Sequence, residues 1–406
     1  MLAALISIFA LSFTFRTLPA IMTGQIKADF DVSDQEVGLF AAAFNLSFAA
    51  CQLLIGIAFD RYGPRRTLGI VFLVAIVGGA MSALAPSFPI LVLGQLLIGV
   101  GCSPGLIAVL LFIDRRYPKD RFGRVSGWVM SLGALGMLLS GTPLAWVVQE
   151  SSWRFGFAIV TAAAAVAWLA VWLLVDDRSC GRNEERETVA ASFRELGRLL
   201  ADKRIIGVLA LAAATYPAFM TLRGLWIVPL LAERHAFSLV ASGHVLTAVS
   251  LAVLCGPIAF GRLDPGGDRR RRRIVGCTFL YAALLALVAM SSSAPFDIAL
   301  LILSSFFSGY IVMQYADVRV AYPPQTAGRA LAIFTTAMFL GVAGMQLITG
   351  FAASTAPLYG IDAITAVLIT IAGLLVSGAT AYARLPKRDE YIPATAGASS
   401  MNERAT

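Results

Sequence analysis

Two arginines stand where arginine is costly. Arg16 falls in the apolar run 2–22 and Arg223 in the apolar run 205–231. A charge at the centre of a membrane span costs about 2.5–3.5 kcal/mol on insertion scales, so each needs a reason. Both sit in the same local pattern, Thr-x-Arg-x-Leu: Thr14, Arg16 and Leu18 against Thr221, Arg223 and Leu225. The guanidinium is a planar fork of donors that stays charged at any accessible pH, and it binds carboxylate or phosphate through paired hydrogen bonds. Two such forks would grip one anion from two sides. Two other uses compete: structural pairing with Glu36 or Glu233, and snorkelling to the nearer helix ends, roughly 9 Å away for Arg16 and 12 Å for Arg223.

Other polar and aromatic residues take up neighbouring positions. Tyr216 and Arg223 are seven apart, almost two helical turns, and Trp226 lies one turn further on. Tyr310 and Gln314 share one face, Asn45 and Gln52 another, and Gln95 lies in a further apolar run. Any one of these serves equally well as glue between helices. As a set they describe a polar, aromatic-walled, basic cavity.

Absent chemistry is equally informative. No Asp or Glu occupies the middle of an apolar run, and no GxxxxGK[ST] loop, G-x-S-x-G elbow or zinc spacing appears. No catalytic residue, metal or cofactor is expected, and the chain reads as a non-enzyme. The five cysteines are scattered without CxxC spacing. His244, at the end of its run, is a candidate proton acceptor near neutral pH.

These residues need helices to hold them. Hydrophobic residues make up 58% of 406 and charged residues 14%, against about half and a quarter in soluble domains. The excess falls in blocks of about 20, the length that crosses a bilayer as a helix: 2–22, 36–59, 67–85, 89–113, 125–148, 155–175, 205–231, 243–261, 274–293, 296–316, 329–353 and 358–383. The first block has no basic leader or cleavage site, so it reads as a permanent helix rather than a signal peptide. The predicted fold is an all-α membrane protein of twelve spans.

The net charge of +8 is spread over alternate loops instead of one nucleic-acid-binding patch. Arg61, Arg65 and Arg66, then Arg115 to Arg124, the 176–204 stretch and the run Arg269 to Arg273 all fall on one side, while Lys27, Arg154 and Arg234 fall on the other. By the positive-inside rule the rich loops and both termini are cytoplasmic, in a cell or inner membrane, with anionic lipid as a neighbour. The long polar stretch 176–204, whose second part from Thr188 is amphipathic, divides an N-terminal bundle (1–175) from a C-terminal bundle (205–383), and a cytoplasmic tail (384–406) follows.

The halves repeat. Asp114, Tyr117, Pro118, Gly123 and Arg124 are answered by Asp317, Tyr322, Pro323, Gly328 and Arg329, with Tyr, Pro, Gly and Arg at an offset of 205. The loop after the second run reads Gly56, Asp60, Arg61, Gly63, Arg65 and Arg66, which resembles the G-x-x-x-D-R-x-G-x-R-R signature of the major facilitator superfamily. That resemblance implies two six-helix bundles around a site near the bilayer midplane, lined by helices 1, 4, 7 and 10 and exposed alternately to each side.

On this reading Arg16 and Arg223 face each other across the cavity, similar to the organophosphate and organic-anion branch. Tyr216, Trp226, Tyr310, Gln314, Asn45 and Gln95 are secondary lining. Asp60, Arg61, Arg65, Asp114, Arg124, Asp317 and Arg329 are gate charges that pair across the bundles, or charges that only set topology.

The function expected is secondary active transport of a small carboxylate or phosphate by a monomer, coupled to a proton or a counter-anion. One rival is a proton-coupled drug or metabolite exporter of the same fold; it is weakened because Gln95 stands where such exporters carry arginine. Another is a transporter-like membrane sensor.

Overall fold

The computed structural model describes residues 1–116, 119–175, 203–322 and 324–385, and all its regular elements are helical. The spans are numbered α1 to α12. α1 is a bent pair, Leu2–Thr17 and Pro19–Phe30, meeting at 43°. α2 is Asp34–Tyr62, 29 residues long. Ten further helices are long and apolar enough to cross a membrane: α3 Arg65–Ala83, α4 Phe88–Ile113, α5 Trp128–Glu150, α6 Trp153–Leu174, α7 Ile205–Arg234, α8 Leu239–Arg262, α9 Gly267–Met290, α10 Ala294–Ala321, α11 Gly328–Tyr359 and α12 Ala363–Arg384. By length and apolarity these ten cross a membrane, and eleven do with bent α1 taken as one span; the 29-residue α2 brings the helix count to one consistent with the expected twelve. The 176–202 part of the interbundle stretch, with its amphipathic segment, and the tail from 386 lie outside the described residues.

α1 departs from expectation. It was expected to end near residue 22 but continues to Phe30. Pro19 cannot donate a backbone hydrogen bond, so the helix bends there without ending. Beyond the bend the sequence turns polar, which hides the continuation, yet the polar groups are used inside the protein. Gln25 donates to the Val148 carbonyl at 3.0 Å and accepts from the Trp153 amide at 2.7 Å. Asp29 accepts from Trp153 Nε1 at 2.8 Å and pairs with Arg154 at 2.6 Å. The extension puts Arg16 midway along α1.

The internal repeat extends into the backbone at the same offset. α1 ends on a left-handed Asp31 (φ 51°) and α7 is followed by a left-handed Ala236 (φ 54°). Ser33 caps α2 by accepting from the Glu36 amide, and Ser238 caps α8 by accepting from the Ala241 amide. Gly136 lets α5 close on α1, where an added Cβ would meet the Ala10 carbonyl carbon at 2.6 Å; Gly341 lets α11 close on α7, 2.6 Å from Ala213 Cα.

Two seams join the halves toward the face opposite the termini. In the α2–α11 seam a Cβ on Gly38 would stand 2.6 Å from the Gln346 carbonyl oxygen and 3.1 Å from Gly350 Cα. In the α5–α8 seam a Cβ on Gly243 would stand 2.8 Å from Ala145 Cβ and 3.1 Å from Thr142 Cα. Small residues let backbones touch, which is how helices associate where lipid removes the hydrophobic drive.

Candidate functional site

Arg16 and Arg223 are 5% and 0% exposed, which rules out snorkelling. The turns that carry them touch, since a Cβ on Gly224 would lie 3.7 Å from the Arg16 carbonyl oxygen. Arg223 sits in a π-helical turn, Leu222–Trp226, and a second π turn, Leu230–Arg234, ends α7. π turns widen a helix locally and frequently mark functional positions.

The two guanidinium groups have different surroundings. Arg16 lies among four rings, with its central carbon 5.0 Å from the centroid of Phe13, 5.6 Å from Phe44, 4.8 Å from Phe48 and 4.6 Å from Phe339. Each such contact is worth about 0.5–2 kcal/mol. Its Nη1 donates to the Tyr216 hydroxyl at 3.1 Å. Arg223 is held by oxygen instead: its Nη2 donates to the Met137 carbonyl at 2.7 Å and to Ser140 and Ser250 Oγ at 3.2 Å each.

The contacts are reciprocal. Arg16 belongs to the first half, yet Tyr216 and Phe339 come from the second. Arg223 belongs to the second half, yet Met137 and Ser140 come from the first. Ser140 also meets Thr17 Oγ1 at 2.5 Å, linking the two arginine turns. The sequence leads to the expectation that the two guanidinium groups face each other across one cavity; their contacts set Arg16 against α2, α7 and α11 and Arg223 against α5 and α8. Among the described residues neither has a carboxylate within 4.0 Å. Arg16 Nε and Arg223 Nη1 are buried without a hydrogen-bond partner. Glu36 is used in capping α2, bonding the Ser33 amide at 2.8 Å, so it does not neutralise Arg16.

The remaining sequence candidates divide. Tyr216, Asn45, Gln314 and Trp226 gather around the arginines or the seams. Asn45 donates to Gln346 Oε1 at 3.1 Å across the α2–α11 seam. Gln314 bonds Thr215 at 3.1 Å, beside Tyr216. Trp226 donates to Thr349 at 3.0 Å and lines a cavity of about 230 Å³ with Thr23, Lys27, Asp34, Leu225 and Glu233, toward the face opposite the termini. Gln95 is 0% exposed and neither of its amide atoms has a partner.

Tyr310 is not at the site: its hydroxyl lies 2.9 Å from Thr278 on α9, inside the second bundle. Sequence reasoning missed Phe44, Phe48, Ser140 and Ser250 around the arginines, and the one available signal was the serine hydroxyls within apolar runs.

Of the gate charges, Arg61 stacks on Tyr62 at 5.4 Å. Arg65 donates to the Trp172 carbonyl at 2.8 Å and covers that indole, both contacts within its own half. Asp317 accepts from the Tyr382 hydroxyl at 2.7 Å, also within one half. Arg329 is half-buried at the start of α11. The side chains of Asp60, Asp114 and Arg124 lie outside the described residues. His244 Nδ1 meets Thr142 Oγ1 at 3.0 Å in the α5–α8 seam.

Ion pairs also tie the ends of the helices. Arg234 bonds Asp362 at 2.9 Å. Burial raises the Asp362 carboxyl, but the Thr365 amide and the Arg234 guanidinium outweigh it and hold the group below the usual carboxylate value.

A family model described as Major Facilitator Superfamily matches residues 3–345. The chain is 23% identical over 380 residues to the probable L-galactonate transporter of Escherichia coli (strain K12), covering 86% of this chain and 82% of that protein. It is 26% identical over 147 residues to the hexuronate transporter of Bacillus subtilis, covering 36% of this chain and 35% of that protein. With the probable sulfoacetate transporter of Cupriavidus necator it shares 24% identity over 214 residues, 53% of this chain and 48% of that protein. The match thus spans about a third and about half of the length of these last two relatives.

Among solved structures, a bacterial homologue of the human lysosomal transporter Spinster superposes with a TM-score of 0.77 at 17% identity, covering 97% of this chain and 98% of that one. A nucleoside transporter gives 0.75 at 14%, covering 94% and 98%. At such identity these likenesses show the fold. The family match across most of the chain, on twelve helices, makes it a transporter rather than an enzyme: it belongs to the Major Facilitator Superfamily.

Proposed function

We propose that the protein is a secondary active transporter of a small organic anion, carboxylate- or phosphate-bearing, that works by alternating access. The observation that carries this reading is the pair of buried arginines, one from each half, each with one guanidinium nitrogen lacking a partner and neither with a carboxylate nearby among the described residues. Ring faces, a carbonyl and hydroxyls compensate these charges in part, and a charge inside a membrane span that has no carboxylate partner marks a substrate path by default. An anion that reached both groups would bind both halves at once, so its binding would bias their relative position. Relatives named as transporters of hexuronate, L-galactonate and sulfoacetate support an organic acid as cargo.

The bundles 1–175 and 205–383 are the moving bodies in this proposal. The basic loops place both termini in the cytoplasm and the chain in the cytoplasmic membrane. The two glycine seams then close the outer face, and the cargo moves together with a proton or against another anion.

Uptake into proteoliposomes of radiolabelled L-galactonate, hexuronates, sulfoacetate and sugar phosphates, with wild type, Arg16→Gln and Arg223→Gln, tests the cargo. An anion carried by the wild type should lose affinity in both variants. Unchanged uptake in both, or transport confined to neutral and cationic compounds, refutes the proposal.

A further inference from the structure

Among the described residues Asp297 is the one buried carboxylate, with its side chain 0% exposed in the first turn of α10. Its partners come from the end of α7. His235 Nε2 lies 2.8 Å from Oδ2, and that imidazole is itself 5% exposed. Arg234 Nη1 stands 4.0 Å away and is committed elsewhere: it donates to the Val288 carbonyl at 2.9 Å, while Nη2 donates to Asp362 and Thr365 at 2.9 Å each. Asp297 Oδ1 is buried with no partner.

The carboxylate is therefore incompletely compensated when the imidazole is neutral. A proton on His235 places a full positive charge in direct contact with it. The charged and titratable neighbours from the packed elements are Glu233 and Arg234 on α7, Asp297 on α10 and Asp362 before α12; α9 offers the carbonyls of Val288 and Ser291.

The position links this pair to the transport machinery. His235 directly follows the π turn Leu230–Arg234 and precedes the left-handed Ala236. The same helix carries Arg223 in its other π turn and Trp226 on the outer cavity. A helix end with this non-α geometry is held by what it docks on: α9 and the start of α12 through Arg234, and α10 through the His235–Asp297 contact.

We infer that His235 and Asp297 form a proton-binding site on the face opposite the termini, and that its occupancy sets how firmly the outer half of α7 docks on α10. Protonation and docking favour each other, so the outer half of α7 is held at low pH and loosens as pH rises. The ligand is the proton itself. The inference does not depend on which cargo the arginines bind.

The protein has two histidines, so a His244→Gln background leaves His235 as the one imidazole. In lipid nanodiscs, hydrogen–deuterium exchange over residues 222–238, corrected for the intrinsic pH dependence of exchange, reads the opening of this segment. We expect at least fivefold faster opening at pH 8 than at pH 6 in the background protein. His235→Gln and Asp297→Asn, each near-isosteric and unable to complete the charge pair, should give pH-independent opening. Equal protection at both pH values in the background protein overturns the inference, and so does a pH response that survives in either variant.

Discussion

The α2–α11 seam sets a sharp test of how the halves separate. Gly38→Ala adds one methyl group that would stand 2.6 Å from the Gln346 carbonyl oxygen. Ordinary contact begins near 3.4 Å, so roughly 0.8 Å must be yielded, and backbone lies on both sides. Overpacking by such a group costs about 1–3 kcal/mol. Only the arrangement in which α2 and α11 touch bears that cost, so the ratio of closed to open at this face should fall by about 5- to 150-fold.

Spin labels at Gln35 and Leu358, in a cysteine-free background, report the separation across the seam by pulsed electron resonance. Gly38→Ala should move weight from the short distance to a longer one, as should Gly243→Ala for a label pair across α5 and α8. Gly276→Ala, where an added Cβ meets nothing within 4 Å, should change neither. A distance distribution for Gly38→Ala identical to that of the parent would refute the idea that contact at this seam holds the face shut.

Two further outcomes follow from the structure. Tyr310→Phe removes the bond to Thr278 and should lower stability by about 0.5–1.5 kcal/mol, read as a drop in melting temperature, while the apparent affinity for a transported anion stays at the wild-type value. The Asp264 carboxyl is raised by burial, but bonds from Arg270 and the Gly266 amide outweigh this and hold it below 3.8. Its contribution to stability is therefore complete above about pH 4 and lost as pH falls through the lower folded value. Asp264→Asn should flatten the acid limb of thermal stability below about pH 4.

Much of the architecture can be read in the residues, because lipid demands long apolar blocks and the chain supplies them. Arg16 and Arg223 stand out because charge within such blocks is rare. Two of the rings around Arg16 could not be read: Phe44 and Phe48 look no different in sequence from Phe296 and Phe351, which are exposed on the outside. Tyr310 and Gln314 fall on one ideal helical face, but the 3₁₀ turn Ser308–Tyr310 changes the local rotation, and the tyrosine goes to α9 while the glutamine goes to α7. The far half of α1 was obscured by Thr23, Gln25, Lys27 and Asp29, which lower the apolar content of a segment that neighbouring helices accommodate. His235 lies just past its span, so its contact with a carboxylate 62 residues away left no local trace.

Under the proposed function, the unequal settings of the two central cations would give loading a sequence. A guanidinium wrapped by aromatic faces can slide toward an incoming anion, because its shielding has little directional demand. Its counterpart, tethered to a carbonyl at 2.7 Å and two hydroxyls, must surrender aligned bonds before it can move. A visiting anion would thus be met first by the loosely held charge and only afterwards by the latched one, and freeing that latch would also undo a bond between the halves.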